Sequence, residues 1–192
     1  MGQRSQIYVA FNNGERDKDG VIIKTGEQQL VALYFQWNYG SRMISRAAGL
    51  GGWLKCSLPY LNYQTEKIKH IAETNFDLRD VVFSHNIINE AIEFCEQVTD
   101  RNRFIFEEQD NNDGKLFISI GNDGKIKYCL TDCDCTEPMT ASQYMEWGGY
   151  WTEEEFGSDL SNNLQWIEEN MELMTADELT DFINAKYSNV YH

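Results

Sequence analysis

The chain contains little proline and no long apolar segment. Two prolines in 192 residues, together with 42% hydrophobic and 13% aromatic residues, exclude a disordered tail or a proline-rich linker. No apolar run approaches the roughly 20 residues that span a bilayer, and the N-terminus MGQRSQIYVAF lacks the basic region and apolar stretch of a signal peptide. We therefore expect a single cytoplasmic domain, residues 1–192, that does not contact a membrane.

Basic residues are also scarce, because 16 Lys and Arg face 31 Asp and Glu, a formal net charge of −15. Residues 1–75 hold nine basic and six acidic residues, whereas the acidic C-terminal part, residues 76–192, carries a net −18. Such a charge repels nucleic acid phosphates and attracts basic proteins. It predicts a basic protein surface as partner and argues against direct nucleic-acid binding through this part. The alternative is that the acidic surface serves solubility alone.

Two groups of strand-like segments are separated by turn signals. The first group consists of residues 6–11, 21–24 and 29–37. The second consists of residues 103–107, 115–120 and 125–130. Alternating or β-branched and aromatic residues are typical of strands, and the Asp-Gly pairs between the later segments favour tight turns. Each group therefore predicts an antiparallel β meander.

Helical periodicity occupies much of the remaining sequence. Ser41 can cap a helix that three glycines at 49, 51 and 52 weaken, and we expect a further helical segment to begin near Trp53. Residues 77–98 show an apolar face typical of an amphipathic helix. Two more helices are predicted at 158–171 and 175–187, the second opened by the capping box of Thr175 and Glu178.

These elements predict an α+β fold in which antiparallel β meanders pack with amphipathic helices and the C-terminus is helical. We expect the two meanders and the helix at 77–98 to share one hydrophobic core. The residues predicted to lie in this core are Ile7, Val9, Ile88, Ile92, Phe104 and Ile118.

No arrangement of residues supports catalysis. Ser84-His85 is the only adjacent pair of a hydroxyl and a base, and a histidine beside an apolar helical face is more often structural. The segment Gly49–Gly52 lacks the preceding strand and the following Lys-Ser/Thr of a phosphate-binding loop. We therefore predict no catalytic residues and no enzyme. The enzymatic alternative is a hydrolase that uses His85 or a cysteine, and we rank it behind the two non-enzymatic functions described below.

Two clusters suggest a metal site at first sight. The segment 110–114 (DNNDG) resembles part of a calcium loop, but the first and twelfth loop positions are Gln and Ile, which are not suitable ligands. Cys129, Cys133 and Cys135 could present thiolates, but they lack a Cys-x-x-Cys pair and a nearby histidine. A hairpin turn and reduced strand cysteines are the simpler interpretations. We predict that the protein needs no metal and no cofactor.

Residues 144–156 (YMEWGGYWTEEEF) interleave aromatic and acidic residues around a glycine pair. This composition is typical of a protein-binding surface, in which buried rings supply affinity and carboxylates meet Arg or Lys. The predicted partner-binding residues are Glu146, Trp147, Trp151, Glu153, Glu154 and Glu155. The alternative is that the rings pack between the second meander and the C-terminal helices.

Three segments near the N-terminus carry a resemblance to a known family: GQRSQIYV at 2–9, YFQWNYG at 34–40 and SRMISR at 41–46. They resemble small proteins from phages and mobile elements of Gram-positive bacteria, some of which are similar to anti-CRISPR inhibitors of Cas9. The resemblance implies a stoichiometric inhibitor in the host bacterial cytosol.

Such an inhibitor would bind a CRISPR-Cas effector ribonucleoprotein in its positively charged channel and block DNA binding or cleavage. The acidic C-terminal part has the sign of charge that this binding requires. The alternative is a cytosolic, non-enzymatic interaction protein of phage or mobile-element origin, which could self-associate as a homodimer through the aromatic stretch.

Overall fold

The computed structural model describes residues 4–12, 15–16, 18–19, 22–24, 28–36, 38–57, 112–121, 124–135, 137–151, 158–187 and 189–191. The predicted helix at 77–98 and the predicted strand at 103–107 lie outside the described residues. The same holds for His85 and for the expected core residues Ile88, Ile92 and Phe104.

Within this part of the chain, a six-stranded mixed sheet forms the centre of the fold, with the strand order β7-β6-β5-β1-β4-β8. The strands are β1 (Arg4–Asn12), β2 (Glu15–Arg16), β3 (Ile22–Lys24), β4 (Gln28–Gln36), β5 (Lys115–Ile120), β6 (Ile126–Thr131), β7 (Glu172–Leu173) and β8 (Asn189–Tyr191). The helices are α1 (Ser41–Ser57), α2 (Ala141–Trp147), α3 (Ser158–Asn170) and α4 (Ala176–Asn184). The predicted α+β class is confirmed.

Antiparallel and parallel pairings alternate across this sheet. Strands β1 and β4 pair antiparallel, as do β5 and β6, and a parallel pairing of β1 with β5 joins the two hairpins. Strands β4 and β6 are extended at the two edges by the short parallel strands β8 and β7. The first expected meander differs in its middle strand, because β3 pairs with β2 in a separate two-stranded sheet. Strand β4 therefore lies directly beside β1.

Strand β1 lies in the interior of the sheet, between β5 and β4. Helices cover both faces of the sheet, so side chains on both sides of β1 are buried. Residues 5–11 are all buried, and successive side chains point to opposite faces. Ile7 and Val9 join one cluster with residues of α1, α2 and α3. Tyr8 joins the cluster on the other face, which α4 covers. The expected burial of Ile7, Val9 and Ile118 is confirmed, and all three belong to one cluster.

Helix α1 runs without interruption through Gly49, Gly51 and Gly52, so the expected start of a further helical segment near Trp53 is wrong. The reason is packing against α3. A Cβ atom at Gly51 would lie 2.6 Å from the Met171 sulfur and 2.8 Å from the Trp166 ring. The missing side chain lets the two helices approach closely, and this contact outweighs the weak helix propensity of glycine.

The predicted C-terminal helices are confirmed as α3 and α4. The capping box of α4 forms as expected, with Thr175 accepting from the Glu178 backbone N–H and Glu178 accepting from the Thr175 backbone N–H. The sequence did not indicate the short strands β7 and β8. Because β8 follows α4, the last described element is a strand, whereas a helical C-terminus was expected. Among the residues that the structure describes, no helix has the length and apolarity needed to cross a bilayer.

Candidate functional site

The first half of the aromatic stretch belongs to helix α2. Thr140 opens the helix with a capping box: its Oγ1 accepts from the Gln143 N–H at 3.1 Å, and Gln143 Oε1 accepts from the Thr140 N–H at 2.9 Å. The pattern Thr-x-x-Gln is a helix-start signal that can be read from the sequence. It fixes the position of the residues that follow.

The glycine pair ends α2 in a defined conformation. Gly149 has a φ of +64°, its N–H donates to Glu146 O at 3.1 Å, and the Tyr150 N–H donates to Met145 O at 3.0 Å. These two bonds define a Schellman motif, in which a residue with positive φ reverses the chain at a helix end. The reversal returns Tyr150 to the helix that it has just left. The glycine pair therefore ends the helix in a defined conformation.

Tyr150 lies directly over Gly148. A Cβ atom at Gly148 would lie far inside contact distance of the Tyr150 ring. The same ring approaches Gly40, where a Cβ would be 3.1 Å from the Tyr150 side chain. Two glycines from distant parts of the sequence thus provide the space that the ring occupies.

Asp113 holds this ring from the inside of the protein. The Tyr150 hydroxyl donates to Asp113 Oδ1 at 2.8 Å, and the Tyr144 hydroxyl donates to Asp113 O at 2.8 Å. Asp113 is buried, and its own N–H donates to Arg4 O at 2.9 Å. The end of α2 is therefore tied to the residues that precede β5 and to the first residue of β1.

Burial sets the protonation of this cluster. It raises the pKa of Asp113, and the hydrogen bonds from Tyr150 and from the Arg4 backbone oppose that shift. Burial also raises the pKa values of Tyr144 and Tyr150 well above the usual range. Both phenols are therefore neutral at physiological pH and act as hydrogen-bond donors.

The outer part of this cluster is exposed to solvent. Trp147 is 44% exposed and Trp151 is 48% exposed, values that stand out for large hydrophobic side chains. The Trp147 ring lies 5.9 Å from the buried ring of Tyr144, and the Tyr150 ring lies 5.7 Å from Tyr39. We name Tyr39, Trp147, Tyr150 and Trp151 the aromatic surface. The exposed carboxylate of Glu146 borders it.

Three of the predicted partner-binding residues are exposed: Glu146 and Trp147 in the last turn of α2, and Trp151 four residues after its end. The other three, Glu153, Glu154 and Glu155, lie outside the described residues. The alternative interpretation, that the rings pack between the second meander and the C-terminal helices, holds for Tyr144 but not for the two half-exposed tryptophans.

The sequence did not indicate the contributions of Tyr39, Asp113 and Tyr150 to this site. Asp113 belongs to the segment 110–114, for which the sequence favoured a hairpin turn over a calcium loop. Gly114 does have a positive φ of +86°, which agrees with that turn. The contact of Asp113 with Tyr150 spans 37 residues, and no local pattern predicts such a contact.

The described surface between residues 124 and 187 is acidic. Between residues 124 and 187, eight of the described carboxylate side chains are exposed and only two lysines are. The exposed carboxylates are those of Asp134, Glu137, Glu146, Glu168, Glu169, Glu172, Asp177 and Asp181. One of the two exposed lysines, Lys125, pairs with Glu172 at 3.0 Å. Lys127, which is less exposed, pairs with Glu178 and lowers the pKa of that carboxyl.

Three cysteines lie within or just after β6. Cys129, Cys133 and Cys135 are free thiols. Over the described part of the chain, no group of three or more His, Cys, Asp or Glu side chains is placed to hold a metal ion.

Comparison with known proteins gives no further guide. No protein-family model, no curated protein and no solved structure matches this chain.

Proposed function

We propose that this protein is a non-enzymatic, stoichiometric inhibitor that binds a basic surface of a Cas9-type effector through the aromatic surface and its acidic surroundings. The observation that carries the proposal is the pair of half-exposed tryptophans beside Glu146 at a firmly held helix end. The choice of effector comes from the N-terminal segments that resemble an anti-CRISPR-containing family.

Preorganisation supports a binding role for these rings. The capping box and the Schellman motif fix both ends of α2, and Asp113 fixes Tyr150. Ordering a side chain or loop at an interface costs about 0.5–1.5 kcal/mol per side chain. Rings that are already in place avoid part of that cost. Tryptophan and tyrosine are also the residues most enriched among interface hot spots.

Charge supports a basic partner. The exposed carboxylates outnumber the exposed lysines fourfold in the described side chains between 124 and 187. A channel that binds guide and target phosphates is lined with Arg and Lys, so it attracts such a surface and speeds the encounter. Occupation of the channel would exclude DNA and prevent cleavage. The same charge disfavours direct contact of this surface with nucleic acid.

The alternative function is that of a cytosolic interaction protein that self-associates through the same rings. Exposed tryptophans on one protomer could stack on those of a second, and the acidic surroundings would then weaken the dimer at low salt. The two functions therefore differ in their salt dependence. Binding to a basic effector weakens as salt rises, whereas self-association strengthens.

The test is binding kinetics to guide-loaded Cas9 at low and high salt, combined with a DNA-cleavage assay. Trp151→Ala and Trp147→Ala should each cost about 2 kcal/mol, or about 30-fold in Kd, mainly through the off-rate. The matched control is Leu173→Ala. Leu173 is 40% exposed on β7 and is not part of the aromatic surface, so its removal should leave binding unchanged.

Charge substitutions should have a different effect. Glu146→Gln, alone or with Gln at 153, 154 and 155, should lower the on-rate and flatten its salt dependence. Glu169→Gln on α3 removes one exposed charge elsewhere and serves as the control. If the intact protein neither binds the effector nor protects DNA at micromolar concentration, the inhibitor proposal is wrong. Sedimentation that shows a dimer sensitive to Trp151→Ala would then favour the alternative.

A further inference from the structure

Helix α4 and one face of the sheet enclose a cleft of about 280 Å³. Its sheet wall lies where β5 ends and β6 begins. The side chains of this wall come from three strands: Gln28 on β4, Ser119 on β5 and Lys127 on β6. Each lies two positions along its strand from a residue of the cluster that α4 covers, so all three point to that face of the sheet. Ser119 and Lys127 are also direct partners in the register of β5 and β6.

Helix α4 forms the opposite wall with Glu178, Asp181 and Phe182. Their spacing of three and four residues places them on one face of the helix. Phe182 is buried, and its ring meets the ring of Phe117 edge to face, with the centroids 5.2 Å apart. The Tyr187 hydroxyl donates to Phe182 O at 2.7 Å. The aromatic part of this wall is therefore held in place both by the sheet and by the residues that follow α4.

Four charged side chains line the cleft, and three of them already have partners. Lys127 pairs with Glu178, and Lys125 pairs with Glu172 at 3.0 Å. The fourth, Asp181, is exposed and forms no ion pair with any residue that the structure describes. The cleft therefore presents one available carboxylate next to an aromatic ring, while both of its lysines are engaged by carboxylates.

We propose that this cleft binds a small primary alkylammonium ion. The ammonium group donates to the Asp181 carboxylate, and the hydroxyl of Ser119 on the opposite wall is a second acceptor. The alkyl chain packs beside Phe182, where a cation also gains from the negative face of the aromatic ring. The cleft is slightly smaller than the pockets of about 300–1,000 Å³ that hold drug-sized ligands, so a short chain suits it.

Other classes of ligand suit this cleft less well. An anion would have to take Lys125 or Lys127 away from its carboxylate partner. Hard metal ions need about six or more oxygen ligands, and the described residues hold no group of three or more metal-binding side chains. The cleft lies on the face of the sheet opposite to α2. The inference therefore goes beyond the proposed inhibitor function and does not depend on it.

The experiment compares three probes of nearly equal size that differ in charge: butylammonium, butanol and butanoate. Each is titrated into the full-length protein at neutral pH and constant ionic strength, and amide chemical shifts are followed by NMR. Butylammonium should bind about 2- to 5-fold more tightly than butanol, which is the gain expected for an ion pair that solvent reaches. Butanoate should bind most weakly. The shifts should concentrate at the cleft, for example at Ser119, Gly121 and Asp181.

Asp181→Asn tests the role of the carboxylate. It should weaken butylammonium binding about 2- to 5-fold and leave butanol binding unchanged, because the amide keeps the shape of the side chain and loses its charge. The matched control is Asp177→Asn. It removes the same charge from an exposed position of the same helix, but Asp177 does not line the cleft. This control should leave all three affinities unchanged.

Several outcomes would overturn the proposal. Equal affinities for the three probes would show an apolar cleft without a preference for charge, and tighter binding of butanoate would identify an anion site at the lysines. Equal effects of Asp181→Asn and Asp177→Asn would assign cation binding to the acidic surface as a whole. The absence of shifts at the cleft with every probe would show that it is not a ligand site. None of these results would affect the inhibitor proposal, which is tested by binding to the effector.

Discussion

Replacing either of the two glycines at the end of α2 with alanine should lower the free energy of unfolding, but for a different physical reason in each case. Gly148 has a negative φ of −79°, so alanine suits its backbone, but a Cβ there would overlap the Tyr150 ring. The ring must move, and its hydrogen bond to Asp113 is then lost. That loss costs about 1–3 kcal/mol, and the displaced aromatic contacts cost about 0.5–1.5 kcal/mol more. Reduced freedom of the unfolded chain offsets up to about 1 kcal/mol.

We therefore expect Gly148→Ala to lower the free energy of unfolding by about 1–3 kcal/mol in urea titrations. Gly149→Ala is the matched comparison. Its Cβ would meet nothing within 4 Å, but the φ of +64° costs a non-glycine residue about 1–2 kcal/mol. Asparagine tolerates positive φ, so Gly149→Asn should recover part of the loss, whereas Gly148→Asn should not.

A double-substitution cycle makes the reasoning refutable. If the clash with Tyr150 is the cause, Gly148→Ala should cost nothing further in a Tyr150→Ala background, because the ring that it displaces is gone. The cost of Gly149→Ala should persist in that background. An equal cost of Gly148→Ala with and without the ring would show that the clash is not the cause.

Three further predictions concern the core, the buried carboxyl and metal content. Ile118→Ala should cost about 2–5 kcal/mol in urea unfolding, because Ile118 is fully buried in the main cluster, and a cost near zero would contradict that burial. Burial raises the pKa of Asp113 in the folded protein, so the folded state binds a proton at this carboxyl more tightly than the unfolded state does. Its contribution to stability is therefore fully present at low pH and is lost as the pH rises through the folded-state pKa, and a pH series should show that Asp113→Asn removes this dependence. Elemental analysis of protein purified without chelator should find no stoichiometric zinc, and zinc at one equivalent would make the cysteines ligands.

Local sequence signals identified the elements better than their arrangement. The strands at 115–120 and 126–131 and the helices α3 and α4 follow from turn residues, periodicity and the capping box of Thr175. The parallel pairing of β1 with β5 joins residues more than 100 positions apart, such as Ile7 and Leu116. No local pattern specifies such a pairing, because it depends on which apolar faces can be buried together.

Helix α1 shows where a local rule loses to tertiary packing. Glycine destabilises a helix interior by about 1 kcal/mol relative to alanine, and this preference predicted a helix weakened by the three glycines, with a further segment beginning near Trp53. In the fold, Gly51 is where Trp166 and Met171 of the opposing segment come closest. The same property that weakens an isolated helix, the missing side chain, is what this contact requires. A sequence pattern cannot reveal this without knowledge of the partner helix.

The candidate site divides in the same way. The composition of the stretch predicts Trp147 and Trp151 as partner-binding residues, and both side chains are about half exposed. The buried support of the site could not be predicted, because Tyr150 is held by Asp113 across 37 residues. The capping pattern at Thr140 and the glycine pair were both readable, and together they indicate a short helix. The composition of the stretch, by contrast, predicted binding residues and not a helix.

The buried support links fold stability to the shape of the aromatic surface. Asp113 contacts β1 through the Arg4 carbonyl and contacts the end of α2 through Tyr150, yet it is itself almost inaccessible to solvent. Tyr150→Phe removes the hydroxyl and leaves every exposed ring in place. If the proposed surface depends on preorganisation, this substitution should weaken partner binding without removing a contact. If binding depends only on the exposed tryptophans, Tyr150→Phe should lower the free energy of unfolding and leave the affinity unchanged.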